Sequence, residues 1–151
     1  MIPDGHGRVD DDPKLVPRGE VVEECREEGA PQIVGLEWAL DGKGLRIHAE
    51  KSRSGASERA EVFFEAGSVV GFRMLDERDL YNYFNAGLTS RIAWMWRVTS
   101  GGWLALEQSR AWFNAELWYS GLVEYFIIGK DDCVSVLTNK PPVVNRQSLP
   151  K

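Results

Sequence analysis

Residues 91–98 read RIAWMWRV, with an apolar side chain at every second position from Ile92 to Val98. This alternation predicts a β-strand that carries Trp94 and Trp96 on one face. Similar short apolar runs, separated by turn residues, make up most of the chain from residue 32 to residue 138. We predict about eight strands, joined mostly as hairpins, at residues 33–40, 45–49, 61–65, 69–75, 91–98, 103–108, 122–128 and 133–138.

One helix interrupts the strands. Asp76 has the character of an N-cap residue and Asp79 follows it three positions later. Gly87 suits the position just after a helix, so we predict a helix at about 77–86. The chain is therefore expected to be an α+β domain dominated by antiparallel sheet. Because a sheet of about eight strands must curl strongly or close, the predicted architecture is a strongly curved sheet or half-barrel with the helix against one opening.

Charge and proline positions divide the chain into three parts. Residues 1–30 hold nine acidic and four basic side chains, which accounts for the whole formal charge of −5. With several Gly and Pro residues and no apolar periodicity, this segment reads as an acidic, flexible leader. Residues 31–142 are expected to form a single globular domain. Pro141-Pro142 would end it, leaving residues 143–151 as a C-terminal tail.

The charge pattern also narrows the classes of partner. A neutral body behind an acidic leader lacks the basic stripe of a nucleic-acid binder and the cation cluster that seeks anionic membranes. Residues 1–5 have neither the basic region nor the apolar run of a secretory signal, and no stretch of the sequence has the apolar length of a membrane span. We therefore expect a cytoplasmic protein. Its oligomeric state stays open.

Few residues suggest chemistry. Two histidines and two separated cysteines cannot supply a paired zinc-ligand set, and we predict no metal site, cofactor or catalytic residue. Glu107, Glu116 and Glu124 lie in or beside the tryptophan region, as the carboxylates of glycosidases lie near aromatic side chains. The alternative is that they lie at a rim or pair with Arg97 and Arg110. We therefore favour a non-enzymatic protein, with the role of these carboxylates open.

Three stretches carry a resemblance: VGFRMLDERDL at residues 70–80, SGGWL at 100–104 and EYFIIGKDDCVSVL at 124–137. They resemble motifs in a group of small, uncharacterised bacterial proteins, and the similarity covers about residues 32–142. No activity is attached to that group. Small soluble proteins of this kind include cytoplasmic immunity proteins that block a partner toxin, so the resemblance implies a protein-binding role and transfers no catalytic residue.

Two functional hypotheses follow. The first is a non-enzymatic protein-binding module, because residues 109–120 lack regular periodicity yet contain the aromatic anchors typical of interfaces. Its finer form is an immunity-type inhibitor of a partner protein. The anchors are Trp112, Phe113, Trp118 and Tyr119. The alternative is a small apolar-ligand binder whose curled sheet encloses a pocket lined by Trp94, Trp96 and Trp103.

Overall fold

The computed structural model describes residues 12–25, 29–53 and 56–149. Those residues form nine strands, two short α-helices and four 3-10 turns. The strands are β1 (Arg18–Glu24), β2 (Gln32–Ala39), β3 (Gly44–Arg53), β4 (Ala56–Phe64), β5 (Val69–Asp76), β6 (Ala93–Ser100), β7 (Val123–Ile128), β8 (Asp132–Thr138) and β9 (Val143–Leu149). The helices are α1 (Tyr81–Asn85) and α2 (Gly102–Gln108), and the 3-10 turns are Pro13–Leu15, Ala66–Ser68, Glu77–Leu80 and Ala115–Leu117.

The strands are divided between two sheets. One has the order β1-β6-β7-β8-β5 and the other the order β2-β3-β4-β9, and every pairing is antiparallel. The prediction of mostly antiparallel sheet is confirmed. The strongly curved sheet or half-barrel is wrong, because the sheets bury apolar faces against each other and neither has to close on itself.

The shared core lies between the two sheets. Phe64 from β4 meets Tyr125 from β7, with ring centroids 5.8 Å apart. Around this pair lie buried side chains from both sheets, namely Leu45, Ile47, Val62, Met95, Ile127, Val134 and Val136. Burying this apolar area is the main stabilising contribution of the fold.

The opposite face of the five-stranded sheet is covered by residues 77–88, which contain α1 and which we call the helical segment. Tyr83 of α1 packs on Phe126 of β7 at a centroid distance of 4.3 Å, and Leu80 and Leu88 join the same cluster. The helix predicted at about 77–86 is present as the 3-10 turn Glu77–Leu80 followed by α1. The Asp76 carboxylate accepts the Arg78 N–H at 2.9 Å, as an N-cap does. Strands β7 and β8 are consequently covered on both faces, by the other sheet on one side and by the helical segment on the other.

Two strands lie in segments that were predicted to lie outside the globular domain. Residues 18–24, within the supposed leader, form β1 and pair with β6. Residues 143–149, within the supposed tail, form β9 and pair with β4. Both are edge strands with mostly exposed side chains. Backbone hydrogen bonds hold such strands in the sheet, and polar or charged side chains are tolerated at their exposed positions. The sequence of an edge strand therefore need not show the apolar alternation of a buried strand. Residues 1–11, 26–28 and 150–151 of these segments lie outside the described residues.

Residues 103–108 are helical and not the strand that was predicted. The backbone at Gly101 and Gly102 has φ of 67° and 70°, a left-handed conformation that glycine adopts at little cost. This turn starts α2 in place of a hairpin. Trp96 therefore pairs across the sheet with Phe126 and Val21.

Candidate binding surfaces

The most exposed aromatic side chains lie in residues 109–121, which we call the tryptophan segment. Trp112 is 83% exposed and Trp118 is 84% exposed, and Leu117 between them is also exposed. Phe113 and Tyr119 are half-buried. The structure thus places all four predicted partner-binding residues on one short segment, with the two tryptophans projecting into solvent.

Local hydrogen bonds hold the backbone of the tryptophan segment. The Phe113 N–H donates to the Arg110 carbonyl at 3.2 Å, and the Tyr119 N–H donates to the Ala115 carbonyl at 2.9 Å. The Gln108 side-chain amide also donates to the Glu116 carboxylate. These bonds give a segment with few buried side chains a defined conformation, so the exposed rings have fixed points of attachment.

The charged groups beside the tryptophan segment are bonded locally. Glu107 and Arg110 form an ion pair, with 2.7 Å between the Arg110 Nη2 and the Glu107 Oε2. Glu107 also accepts the Trp103 indole N–H at 3.1 Å. The predicted pairing of a carboxylate with Arg110 is therefore found for Glu107, whereas Arg97 pairs with Glu20.

The three tryptophans predicted to line one pocket lie in different places. Trp94 belongs to the core cluster between the sheets, and Trp96 belongs to the cluster under the helical segment. Trp103 lies on α2 and is half-buried. The structure does not bring these three rings together.

Trp94 does line a cavity of about 450 Å³ at one open end of the space between the sheets, which we call the intersheet cavity. Ala49, Ala60 and Val21 line it with Trp94. Charged side chains surround these apolar ones, namely Glu23, Glu24, Lys51, Glu58 and Arg146. Arg146 bonds to Glu23 and lies 3.9 Å from the Glu58 carboxylate, so the mouth of the cavity is polar and its inner surface is apolar.

Glu124 is the most unusual ionisable side chain in the described residues. It lies fully buried on β7. Its Oε1 accepts the backbone N–H of Trp103 at 2.7 Å and that of Leu104 at 3.3 Å, and its Oε2 accepts the Tyr83 hydroxyl at 2.5 Å. These N–H groups are in the first turn of α2, where no intrahelical acceptor exists. Glu124 thus does the work of an N-cap from a distant strand.

Burial raises the pKa values of both Glu124 and Tyr83. Removal from water raises the pKa of Glu124, and the hydrogen bonds from Tyr83 and Trp103 offset part of that rise. Burial, together with the Glu124 carboxylate, raises the pKa of the Tyr83 hydroxyl above its usual value. Neither residue was singled out for this role, since their 41-residue separation gives no local pattern.

No family model, curated protein or solved structure matches this chain. Across residues 12–25, 29–53 and 56–149, no three His, Cys, Asp or Glu side chains are grouped to hold a metal ion. No helix in those ranges has the length and apolarity needed to cross a bilayer.

Proposed function

We propose that the chain is a non-enzymatic protein-binding module whose tryptophan segment forms the contact surface. The observation that carries this proposal is the pair Trp112 and Trp118, each with more than four-fifths of its side chain in solvent. Exposed tryptophans cost solubility, and buried at an interface they are among the residues that contribute most to binding. Leu117 extends the apolar area between them.

The local structure of the tryptophan segment supports binding by a preformed surface. Hydrogen bonds within residues 108–119 fix the backbone before any partner arrives. The entropy lost on association is then smaller than for a disordered loop. A partner with an apolar surface fits best, since Glu107, Arg110 and Glu116 already bond to neighbouring groups. An anionic membrane would be attracted by a cluster of cations, which this segment does not contain among its residues.

Inhibition of the partner is the finer form of this proposal. The resemblance to small bacterial proteins suggests it, because immunity proteins act by covering a surface that their partner needs. An inhibitor requires binding alone and no catalytic residue of its own. The first measurement is native mass spectrometry of the untagged protein isolated from its host, which gives the mass of any bound polypeptide.

The decisive experiment uses that purified partner. Isothermal titration should show that Trp112→Ala and Trp118→Ala each weaken binding by about 2 kcal/mol or more, roughly thirtyfold in Kd. Leu40→Ala is the matched control, because Leu40 is 88% exposed but lies in the turn between β2 and β3. Equal binding by all variants would reject the tryptophan segment as the contact. Binding to lipid vesicles that depends on the same tryptophans would reject the protein-binding function.

A second candidate function is binding of a small apolar ligand in the intersheet cavity. Its volume of about 450 Å³ falls in the range of ligand pockets, and Trp94 lines it. A ligand there would change the emission of Trp94 and raise the Tm with no protein partner present. If Trp94→Phe removes the emission change and leaves the Tm shift, the ligand lies against Trp94. A ligand that changes neither signal in the wild type would reject this function.

A further inference from the structure

A second cavity, of about 460 Å³, lies between the helical segment and residues 15–17. We call it the helix-side cavity. Arg73 of β5, Asn82 and Asn85 of α1, and Trp103 and Leu106 of α2 line it, and Pro17 lies on the opposite side. It is separate from the intersheet cavity, with which it shares no lining residue.

Arg73 supplies the cationic group of the helix-side cavity. It pairs across the sheet with Ser135, in register with Phe126, so it lies on the sheet face that the helical segment covers. Its guanidinium carbon lies 4.9 Å from the ring centroid of Trp103, a cation–π contact. Its Nε is buried and makes no hydrogen bond to any described residue. Arg73 likewise forms no ion pair within the described residues, although such pairing is usual for a half-buried guanidinium.

The nearest buried carboxylate is already occupied. Both oxygens of Glu124 accept hydrogen bonds, from Tyr83 and from the first turn of α2. Glu124 lowers the local potential without bonding to Arg73. The guanidinium therefore keeps donors for another acceptor, and its planar fork matches the geometry of a carboxylate or a phosphate.

The other lining groups narrow the class of ligand. Trp103, Leu106 and Leu80 provide apolar surface, and Asn82 and Asn85 provide amide donors and acceptors. Asp79 lines the cavity from an exposed position, and its negative charge disfavours ligands that carry two or more negative charges. We propose that the helix-side cavity binds a small organic monocarboxylate, with the carboxylate on Arg73 and the apolar body against Trp103 and Leu106. This site does not depend on the protein-binding function.

The test compares benzoate with benzamide, two probes of nearly the same shape that differ in charge. Titration of the full-length wild type, followed by the indole N–H resonances in NMR, should show saturable benzoate binding that shifts the Trp103 signal. Benzamide should bind at least about tenfold more weakly, because the ion pair with Arg73 is lost. Arg73→Lys should also weaken benzoate binding, since an ammonium cannot form the planar two-point contact.

Three further variants keep the result interpretable. Arg73→Gln should abolish benzoate binding, while Arg59→Gln, which removes an arginine paired with Glu50 on the other sheet, should leave it unchanged. Leu106→Asp adds a carboxylate at a partly exposed edge of the cavity and should repel benzoate without burying a charge, so it serves if Arg73→Gln does not fold. Equal affinity for benzamide, no saturation by benzoate at millimolar concentration, or benzoate binding that survives Leu106→Asp would each overturn the proposal.

Discussion

The carboxylate of Glu124 accepts the backbone N–H of Trp103 at 2.7 Å, which joins the centre of the five-stranded sheet to the first turn of α2. The Trp103 N–H is also 2.8 Å from the Tyr83 hydroxyl oxygen, which accepts from it. Three elements, α1, α2 and β7, thus meet at one buried polar cluster. Such a cluster stabilises a fold only while each member is satisfied.

Removing the Glu124 carboxylate should therefore destabilise the protein strongly. Glu124→Ala leaves the Leu104 N–H and the Tyr83 hydroxyl without their acceptor and removes one of the two acceptors of the Trp103 N–H. We expect a loss of about 3–5 kcal/mol in the free energy of unfolding. Urea denaturation measures it. Glu116→Ala, at an exposed position, should change stability by less than about 0.5 kcal/mol. Similar losses in the two variants would contradict the capping role of Glu124.

The same group should give stability a pH dependence. Burial raises the pKa of Glu124 in the folded protein, whereas the pKa of a glutamate in an unfolded chain is about 4.3. At pH values between the two pKa values, Glu124 binds a proton in the folded protein but not in the unfolded chain. The contribution of this proton to stability is therefore fully present below the unfolded pKa and is lost as the pH rises through the folded pKa. Relative to Glu124→Gln, the wild type should lose up to about 1.4 kcal/mol per pH unit in that window. If the wild type instead became more stable relative to Glu124→Gln as the pH rises, the hydrogen bonds to Glu124 would lower its pKa by more than burial raises it.

Gly102 should resist substitution. A Cβ there would lie 2.7 Å from the Glu124 Oε1 and 3.0 Å from the Tyr83 hydroxyl, at a φ of +70°. Gly102→Ala should cost about 1–3 kcal/mol from strain and displaced polar contacts, measured by thermal or urea unfolding. Gly67→Ala is the matched control, because a Cβ at Gly67 would meet no described atom within 4 Å. Equal tolerance at both positions would mean that α2 begins differently.

Trp96 and Trp118 should respond in opposite ways to alanine. Trp96 is buried against Phe126 and Leu80, and Trp96→Ala should cost about 3–5 kcal/mol. Trp118 is exposed, so Trp118→Ala should leave the unfolding free energy within about 0.5 kcal/mol. Denaturation curves of the two variants decide this. A large loss at Trp118 would assign that ring to packing and remove it from the proposed contact surface.

The parts of the fold that were predictable have local causes. The β7–β8 hairpin follows from two apolar runs on either side of residues 129–132, and the 3-10 turn that leads into α1 follows from the cap at Asp76. Edge strands β1 and β9 were not predicted because their side chains are mostly exposed, and those of β1 are mostly charged, so neither strand has an alternating apolar face. The helical state of residues 102–108 escaped notice because its stabilising partner, Glu124, lies about twenty residues further along the chain. The only local indication of the start of α2 is the pair Gly101-Gly102, which is equally typical of a hairpin turn.

The candidate surfaces divide in the same way. The irregular pattern around Trp112 and Trp118 indicated a segment outside the core, and both side chains are exposed; their role in binding stays a prediction. The single pocket assigned to Trp94, Trp96 and Trp103 assumed one curled sheet. With two sheets and a helical layer, the same residues fall in separate regions. The role of Arg73 was not predictable, because the alternation along β5 does not indicate that Trp103 of α2 packs against its guanidinium.

The order of strands in the two sheets has a consequence for synthesis on the ribosome. Strands β2, β3 and β4 are consecutive and can pair as soon as they emerge. In the five-stranded sheet, β1 pairs only with β6 and β5 only with β8, so neither has a sheet neighbour among the described residues until much of the chain has been made. The nascent chain must therefore carry β1 and β5 unpaired while the other sheet already has three strands, and contact with a chaperone would matter most during that interval.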